Sequence, residues 1–402
     1  MIVHTPETKI KNGSIAISSR FEFEKKPSHI PDTFWYRYPE RYSDRINSNT
    51  DAFVPPALLM AMYTGEDLII KGNTSPRLAY NLLEYKKIFH SWKPKFFKDI
   101  NIQYERFTKL SPIMEQSAVA CAFSGGVDSF HTLWSHLPEN QPIADAHITH
   151  GLFVHGLDLR LEDEWNFQAA YKPFSRLFND LSLELIPAAT NAYHFSEFRI
   201  NWILFAGVPL IGAALLLAPW MRRFYIPSGS EVILRLASTG SSTIIDHYLS
   251  TESTEIIHHG AGAKRYDKLK TLVNWTPSHH HLRVCADKQK MKGLINCSTC
   301  HKCNSTMVLL EMLNATSKYN NFSSRMKPLD YLRWGSSSFL TILGTSNIRK
   351  QAINNGQFQI AFWLQIAICI QRVRILLTKI FKFLIGRELL YKIKRKIYNP
   401  ET

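Results

Sequence analysis

Hydrophobic positions fall into two patterns that alternate along the chain. Short apolar, β-branched runs closed by Gly, Pro or Asn occur at residues 15–23 (IAISSRFEF) and 67–72 (DLIIKG) and read as strands. Between 75 and 92 (SPRLAYNLLEYKKIFHSW) apolar residues recur at three and four, with Ser75 as N-cap and Pro76 at the first helical position, which predicts a helix. From about 113 to 315 the alternation becomes regular. Strands are expected at 118–124, 147–154, 183–188, 223–228, 254–260 and 281–285. Helices are expected at 128–137 and 162–181, with a buried helix at 198–220 broken at Pro209. Such alternation predicts parallel strands joined by crossover helices on both faces, with ligands beyond the carboxyl ends of the strands. The expected division is an N-terminal α+β accessory domain (1–112), an α/β domain (113–315) and a basic helical C-terminal region (316–402).

Composition narrows the class. The 402 residues are 45% hydrophobic and 20% charged, which excludes wholesale disorder. A net charge of +15 favours anionic partners. The start, MIVHTPETKIKNGSIAI, has no apolar h-region, and six cysteines are too few for a disulfide scaffold. A reducing, cytoplasmic setting is therefore expected, with thiols available to metals. No run of eighteen uninterrupted apolar residues occurs, so no conventional spanning helix is expected.

The strand at 118–124 runs into Ser124-Gly125-Gly126-Val127-Asp128-Ser129 and then a helix. Two adjacent glycines let backbone N–H groups approach an anion, and the helix adds the positive end of its dipole. Ser124 and Ser129 add hydroxyl donors, and Asp128 fits beside an anion if it holds Mg²⁺. No Gly-Lys-Ser/Thr follows, so this is not a Walker A loop. It also lacks the third glycine of a dinucleotide fingerprint.

Four cysteines, Cys285, Cys297, Cys300 and Cys303, lie within nineteen residues with spacing C-x11-C-x2-C-x2-C. Overlapping CxxC turns bring three sulfurs to one ion, and Cys285 completes a tetrahedron. The set suggests structural Zn²⁺, with an iron–sulfur cluster as the rival.

SGGVDS resembles the PP-loop of the ATP pyrophosphatase superfamily. That resemblance implies a Rossmann-like α/β fold of the adenine nucleotide alpha hydrolase-like kind. It implies cleavage of ATP between the α and β phosphates, with AMP passing to a substrate oxygen. By position, Phe123, Ser124, Gly125, Gly126, Val127, Asp128 and Ser129 would hold ATP, and Asp128 would help place Mg²⁺. The family's second strand contacts adenine at its end, which carries over to His150 and Gly151. With the late Cys…CxxCxxC, residues 115–310 are similar to the 7-cyano-7-deazaguanine synthase family, whose zinc-bearing members adenylate a carboxylate and add nitrogen. The terminal regions are additional, the gap before CxxCxxC is long, and that family's base-recognition elements are not found, so the acceptor stays open.

Other polar residues lie between the two motifs. Arg265 and Lys268, three apart on an expected helix, would aim two cations at the carboxyl edge of the sheet; a solvated basic face is the alternative. His259, before Gly260, is a candidate general base, and His258 a structural histidine. Asp246 and Ser250 either line the pocket or, for Asp246, cap a helix. The loop Pro227–Ser230 is either a ligand contact or a turn, and His279-His280-His281 reads as an exposed turn. Residues 357–402 carry nine Lys/Arg against two acids beside a broad apolar face. Three roles compete for them: packing on the body, lying in a membrane interface, or gripping RNA or a partner. No nucleic-acid module is recognisable, so nucleic acid is the least expected partner. The expected activity is an AMP-forming carbon–nitrogen ligase using ATP and Mg²⁺. Its rivals are a non-catalytic nucleotide sensor or scaffold, and a tRNA-modifying ligase or thiolase.

Overall fold

The computed structural model describes residues 1–111, 117–197, 199–229, 238–285, 295–323, 326–334 and 339–385. The chain forms two compact units, Met1–Leu272 and the remainder from Val273. The first is an α/β unit built on a large mixed sheet. Its strands are β1 (Ile2–Val3), β2 (Glu7–Lys11), β3 (Ser14–Glu22), β4 (Thr33–Pro39), β5 (Leu68–Thr74), β6 (Ile102–Phe107), β7 (Ala118–Ala122), β8 (His150–His155), β9 (Glu184–Thr190), β10 (Met221–Pro227) and β11 (Glu255–His259). In space they run β11-β10-β7-β8-β9-β4-β3-β1-β5-β6, with β2 on the outer edge of β3.

The five strands from β7 to β11 are mutually parallel. β7 lies at their centre, and the direction of winding reverses between β7 and β10. Alternation along β7 sorts its side chains between the two faces. Ala118, Ala120 and Ala122 join the core that includes Val208, Ile211 and Leu215 of the helix Gly207–Leu215. On the other face Phe123 sits edge-on to Phe130, Phe174 and Phe178, which belong to the helices Val127–Ser135 and Glu164–Asp180. Small residues on one face and a ring on the other suit a strand covered on both sides.

Several expectations change. The strands before residue 112 do not form a separate body: β4 pairs antiparallel with β9, Tyr36 opposite Thr190, and so extends the same sheet. Phe21, Phe34, Tyr36, Phe53 and Phe195 join the two regions in one aromatic cluster. The chain divides instead at 272/273, so the cysteine cluster belongs to the second unit. The break expected at Pro209 falls at Ala206, between the helices Trp202–Phe205 and Gly207–Leu215. Pro209 is accommodated in the first turn of the second helix, where a missing N–H costs nothing. Residues 282–285 form no strand, and His279–His281 close a short helix, Pro277–His281, rather than a turn. Ser75 caps its helix as expected, accepting from Leu78 N at 3.0 Å.

Candidate functional site

The Ser124–Ser129 turn leaves the carboxyl end of β7 beside the point where the winding reverses. In open α/β sheets that junction opens a crevice for ligands. Gly125 takes φ +75°, a left-handed conformation open to glycine at little cost. A Cβ there would land on the Phe174 ring. Gly126 caps the helix Val127–Ser135, and its N–H donates to Ser124 Oγ at 3.4 Å. Ser129 Oγ turns back to Gly126 O at 3.0 Å. The leading N–H groups of this helix have no carbonyl one turn back, so they and the dipole face the turn. Gly125→Ala is expected to lower the melting temperature by roughly 5 °C, through left-handed strain and the ring clash. Thermal unfolding followed by circular dichroism checks this; an unchanged melting curve would show that the turn repacks freely.

Arg265 and Lys268 lie on the helix Arg265–Leu272 and both reach Asp128. Arg265 Nη1 stands 3.1 Å from Oδ2, and Lys268 Nζ stands 2.9 Å from Oδ1. Lys268 is only 2% exposed and also donates to Ser228 O, at the end of β10, at 2.5 Å. One ammonium therefore ties the β7 turn to the strand across the crevice. Asp128, expected to hold Mg²⁺, thus has a cation on each oxygen. It is nevertheless a hard oxygen donor placed at the turn, and Mg²⁺ commonly uses a single carboxylate together with substrate phosphates. Ser228 and Gly229 stand at the same edge; Ser230 lies outside the described residues.

The histidines of β11 face opposite ways. His258 Nδ1 meets Asp246 Oδ2 at 2.8 Å, and Asp246 also accepts from Ser241 Oγ and Ser242 N. Asp246 is therefore a fully buried acid with its bonds made, opening a short 3₁₀ turn as well as holding His258. Ser250, expected at the pocket, is buried and accepts from Ile256 N. His259 turns to the helix Val127–Ser135, with Nδ1 3.0 Å from Thr132 Oγ1 and its ring against His131 and His136. Burial, helped by His136, His131 and Lys268, pushes His259 down to about 3. Burial, followed by Lys268, pushes His131 down to about 4. Both rings are neutral near pH 7, and His259 so depressed makes a poor general base.

A second buried group responds to pH in the opposite sense. Asp51 accepts from Ser75 N at 2.7 Å and Asn49 Nδ2 at 3.3 Å, and burial raises its carboxyl to about 7. As pH falls below about 6.5, the unfolded chain protonates histidines that the fold keeps neutral, so stability drops. The fold binds a proton on Asp51 over much of the same window, which opposes the drop. Asp51→Asn is expected to steepen the loss of stability between about pH 6 and 4.5 by about one proton, roughly 1.4 kcal/mol per pH unit. Urea unfolding at stepped pH measures it; equal slopes in the two chains would refute it.

His150 and Gly151 do not reach this crevice. They open β8, opposite Ala120 and Cys121, at the amino end of the strand. Gly151 lies beneath Phe178 and Leu185, and His150 pairs with Glu184 at 3.5 Å. The strand starts three residues later than expected and ends one residue later, at His155, followed by Gly156 at φ +91°. The backbone there lies on the loop's side of the sheet, since Phe123 N donates to Leu152 O at 3.0 Å. The glycine after a buried run was the signal that could have located it.

In the second unit the four sulfurs of Cys285, Cys297, Cys300 and Cys303 lie within 4.8 Å of one another. Cys297 and Cys303 Sγ are 3.9 Å apart, close to the edge of a tetrahedron with metal–sulfur bonds of about 2.3 Å. Backbone N–H groups point at the sulfurs, Cys300 N to Cys297 Sγ at 3.3 Å and Cys297 N to Cys285 Sγ at 3.5 Å. Asn296 braces the knuckle, accepting from Val284 N and Cys285 N while donating to Leu282 O. Hydrogen bonding to the Cys285 and Cys300 sulfurs, then burial, raises the Cys303 thiol far above its ordinary value. The cluster can hold a tetrahedral metal such as zinc, whose charge would replace those protons. No protein-family model, curated protein or solved structure matches this chain.

Proposed function

We propose that the first unit is an ATP-dependent, AMP-forming carbon–nitrogen ligase of Rossmann-like, PP-loop type. The observation that carries this reading is the glycine turn of residues 124–129 at a winding reversal, with two cations converging on its carboxylate. The spatial order β9-β8-β7-β10-β11, which is 3-2-1-4-5 among the parallel strands, is that of doubly wound nucleotide-binding sheets. In this reading a substrate carboxylate oxygen attacks the α-phosphorus, the α–β bridging bond breaks and pyrophosphate leaves. A nitrogen nucleophile then adds to the acyl carbon and AMP departs.

This chain's residues bind and orient. The turn and the helix N-terminus receive the outer phosphates. Arg265 and Lys268, which share the single carboxylate of Asp128, transfer to phosphate oxygens and stabilise the developing charge. Asp128, released from them, would hold Mg²⁺, which would supply charge neutralisation on the phosphates. Structural zinc on the four cysteines completes the proposal. Incubation with ATP, Mg²⁺ and candidate carboxylates, followed by mass spectrometry for AMP and pyrophosphate, tests it. ATP binding without AMP under every condition would favour a nucleotide sensor. Thiolation is disfavoured because the sequence holds no closely spaced cysteine pair outside the cluster: Cys121 is buried in β7 and Cys369 lies on the helix Phe358–Ile385.

A further inference from the structure

The helix Phe358–Ile385 contains no acidic residue, and its Phe358–Thr378 stretch has a mean hydropathy of 1.7. One side is committed to protein. Leu364, Ala367, Ile368 and Gln371 are buried, and Gln371 Nε2 reaches Thr345 Oγ1 at 3.3 Å. Trp363 stacks on Tyr331 of the helix Pro328–Arg333. The opposite side is apolar and open to solvent. Phe358, Phe362, Cys369, Val373, Leu376 and Ile380 are exposed, Phe362 by 60% and Leu376 by 58%. At about 100° per residue these six fall within roughly 60° of the circumference, a continuous stripe about 33 Å long. Leu329 and Leu332 on the neighbouring short helix are exposed as well.

We infer that this stripe is an interfacial membrane-docking face for anionic lipid. Charge selects the occupant. Arg372 borders the stripe and is exposed, and the sequence carries Lys379 seven residues on. Beyond Ile385 the sequence continues through Arg387, Lys392, Lys394, Arg395 and Lys396. An apolar face edged by cations fits acyl chains below a layer of anionic head groups. A second copy of the same face would instead bring like charges together. A helix with one side packed on protein through a hydrogen-bonded glutamine is suited to lie along the bilayer rather than across it.

The test is flotation of the full chain with vesicles of phosphatidylcholine alone and of about seven parts phosphatidylcholine to three of phosphatidylserine. Binding is expected only to the second kind and should fall with added salt. Phe362→Ser with Leu376→Asp should abolish it, and Arg372→Glu should weaken it roughly thirtyfold. All three positions are exposed, and circular dichroism verifies folding of each variant. Absence of binding to phosphatidylserine vesicles overturns the inference. So does equal binding to both vesicle types with no effect of Arg372→Glu. A concentration-dependent dimer that the stripe substitutions dissolve, without vesicle binding, would assign the face to a second copy. Flotation needs no nucleotide, so its failure leaves the ligase proposal untouched.

Discussion

Asp128→Ala is expected to abolish formation of AMP and pyrophosphate, with a loss of at least about a thousandfold. The substitution removes the carboxylate proposed for Mg²⁺ and also strips Arg265 and Lys268 of the anion they share. The second effect costs stability. Lys268 is buried, and stripping one partner from a buried pair costs roughly 3–5 kcal/mol. Asp128 is itself partly exposed and Ser228 O still accepts from Lys268, so the lower end of that range is expected. A folding defect and a catalytic defect would therefore appear together, and a second chain separates them. Asp128→Ala with Lys268→Met removes both charges and should recover most of the lost stability while remaining inactive. Denaturant unfolding and AMP quantification on the two chains give the answer. Undiminished AMP formation by Asp128→Ala would remove this residue from the chemistry, and no stability recovery in the double variant would show that the ion pair does not hold the turn.

The second large effect concerns the cysteine knuckle. Cys303→Ser should reduce bound zinc from about one equivalent per chain to near zero and lower the melting temperature by roughly 10 °C. Cys303 is fully buried in the first turn of the helix His301–Met312, whose Met307, Val308, Leu309 and Leu310 are buried with it. Loss of the metal thus reaches directly into packed side chains. Cys369→Ser, at an exposed thiol outside the cluster, should leave metal content unchanged. Elemental analysis and thermal scans on both variants decide. Full zinc occupancy in Cys303→Ser would dismiss the four-thiolate site, and strong visible charge-transfer absorption in the native protein would point to iron–sulfur instead.

Features legible in the sequence were those made by neighbouring residues. The glycine turn, its following helix, the Ser75 cap and the CxxCxxC knuckle each close within a few residues, so residue type and spacing carry the geometry. Arg265 and Lys268 were legible as two cations on one helical face, but not as partners of Asp128, which lies more than 130 residues earlier. His150 and Gly151 were misplaced because strand ends depend on pairing register. The strand begins at His150 instead of residue 147, so His150 and Gly151 open β8 while its carboxyl end falls at His155, one residue beyond the expected end. Asp51 carries no local sign of its raised pKa, because burial by distant chain raises it, Glu252 adds a like charge from 201 residues away, and the bonds from Ser75 and Asn49 offset this only in part.

By itself the sequence determined the α/β alternation, the turn at residues 124–129, the four-cysteine knuckle and the basic apolar C-terminal helix, because each is written in local spacing. Only the tertiary structure decided that the N-terminal strands extend the same sheet, that the chain divides at 272/273, and that Asp128 is held by two cations. It also decided which face of the last long helix stays uncovered. These depend on pairing and burial between residues far apart in the chain, where the free energy of a contact belongs to two segments at once and neither segment alone encodes it.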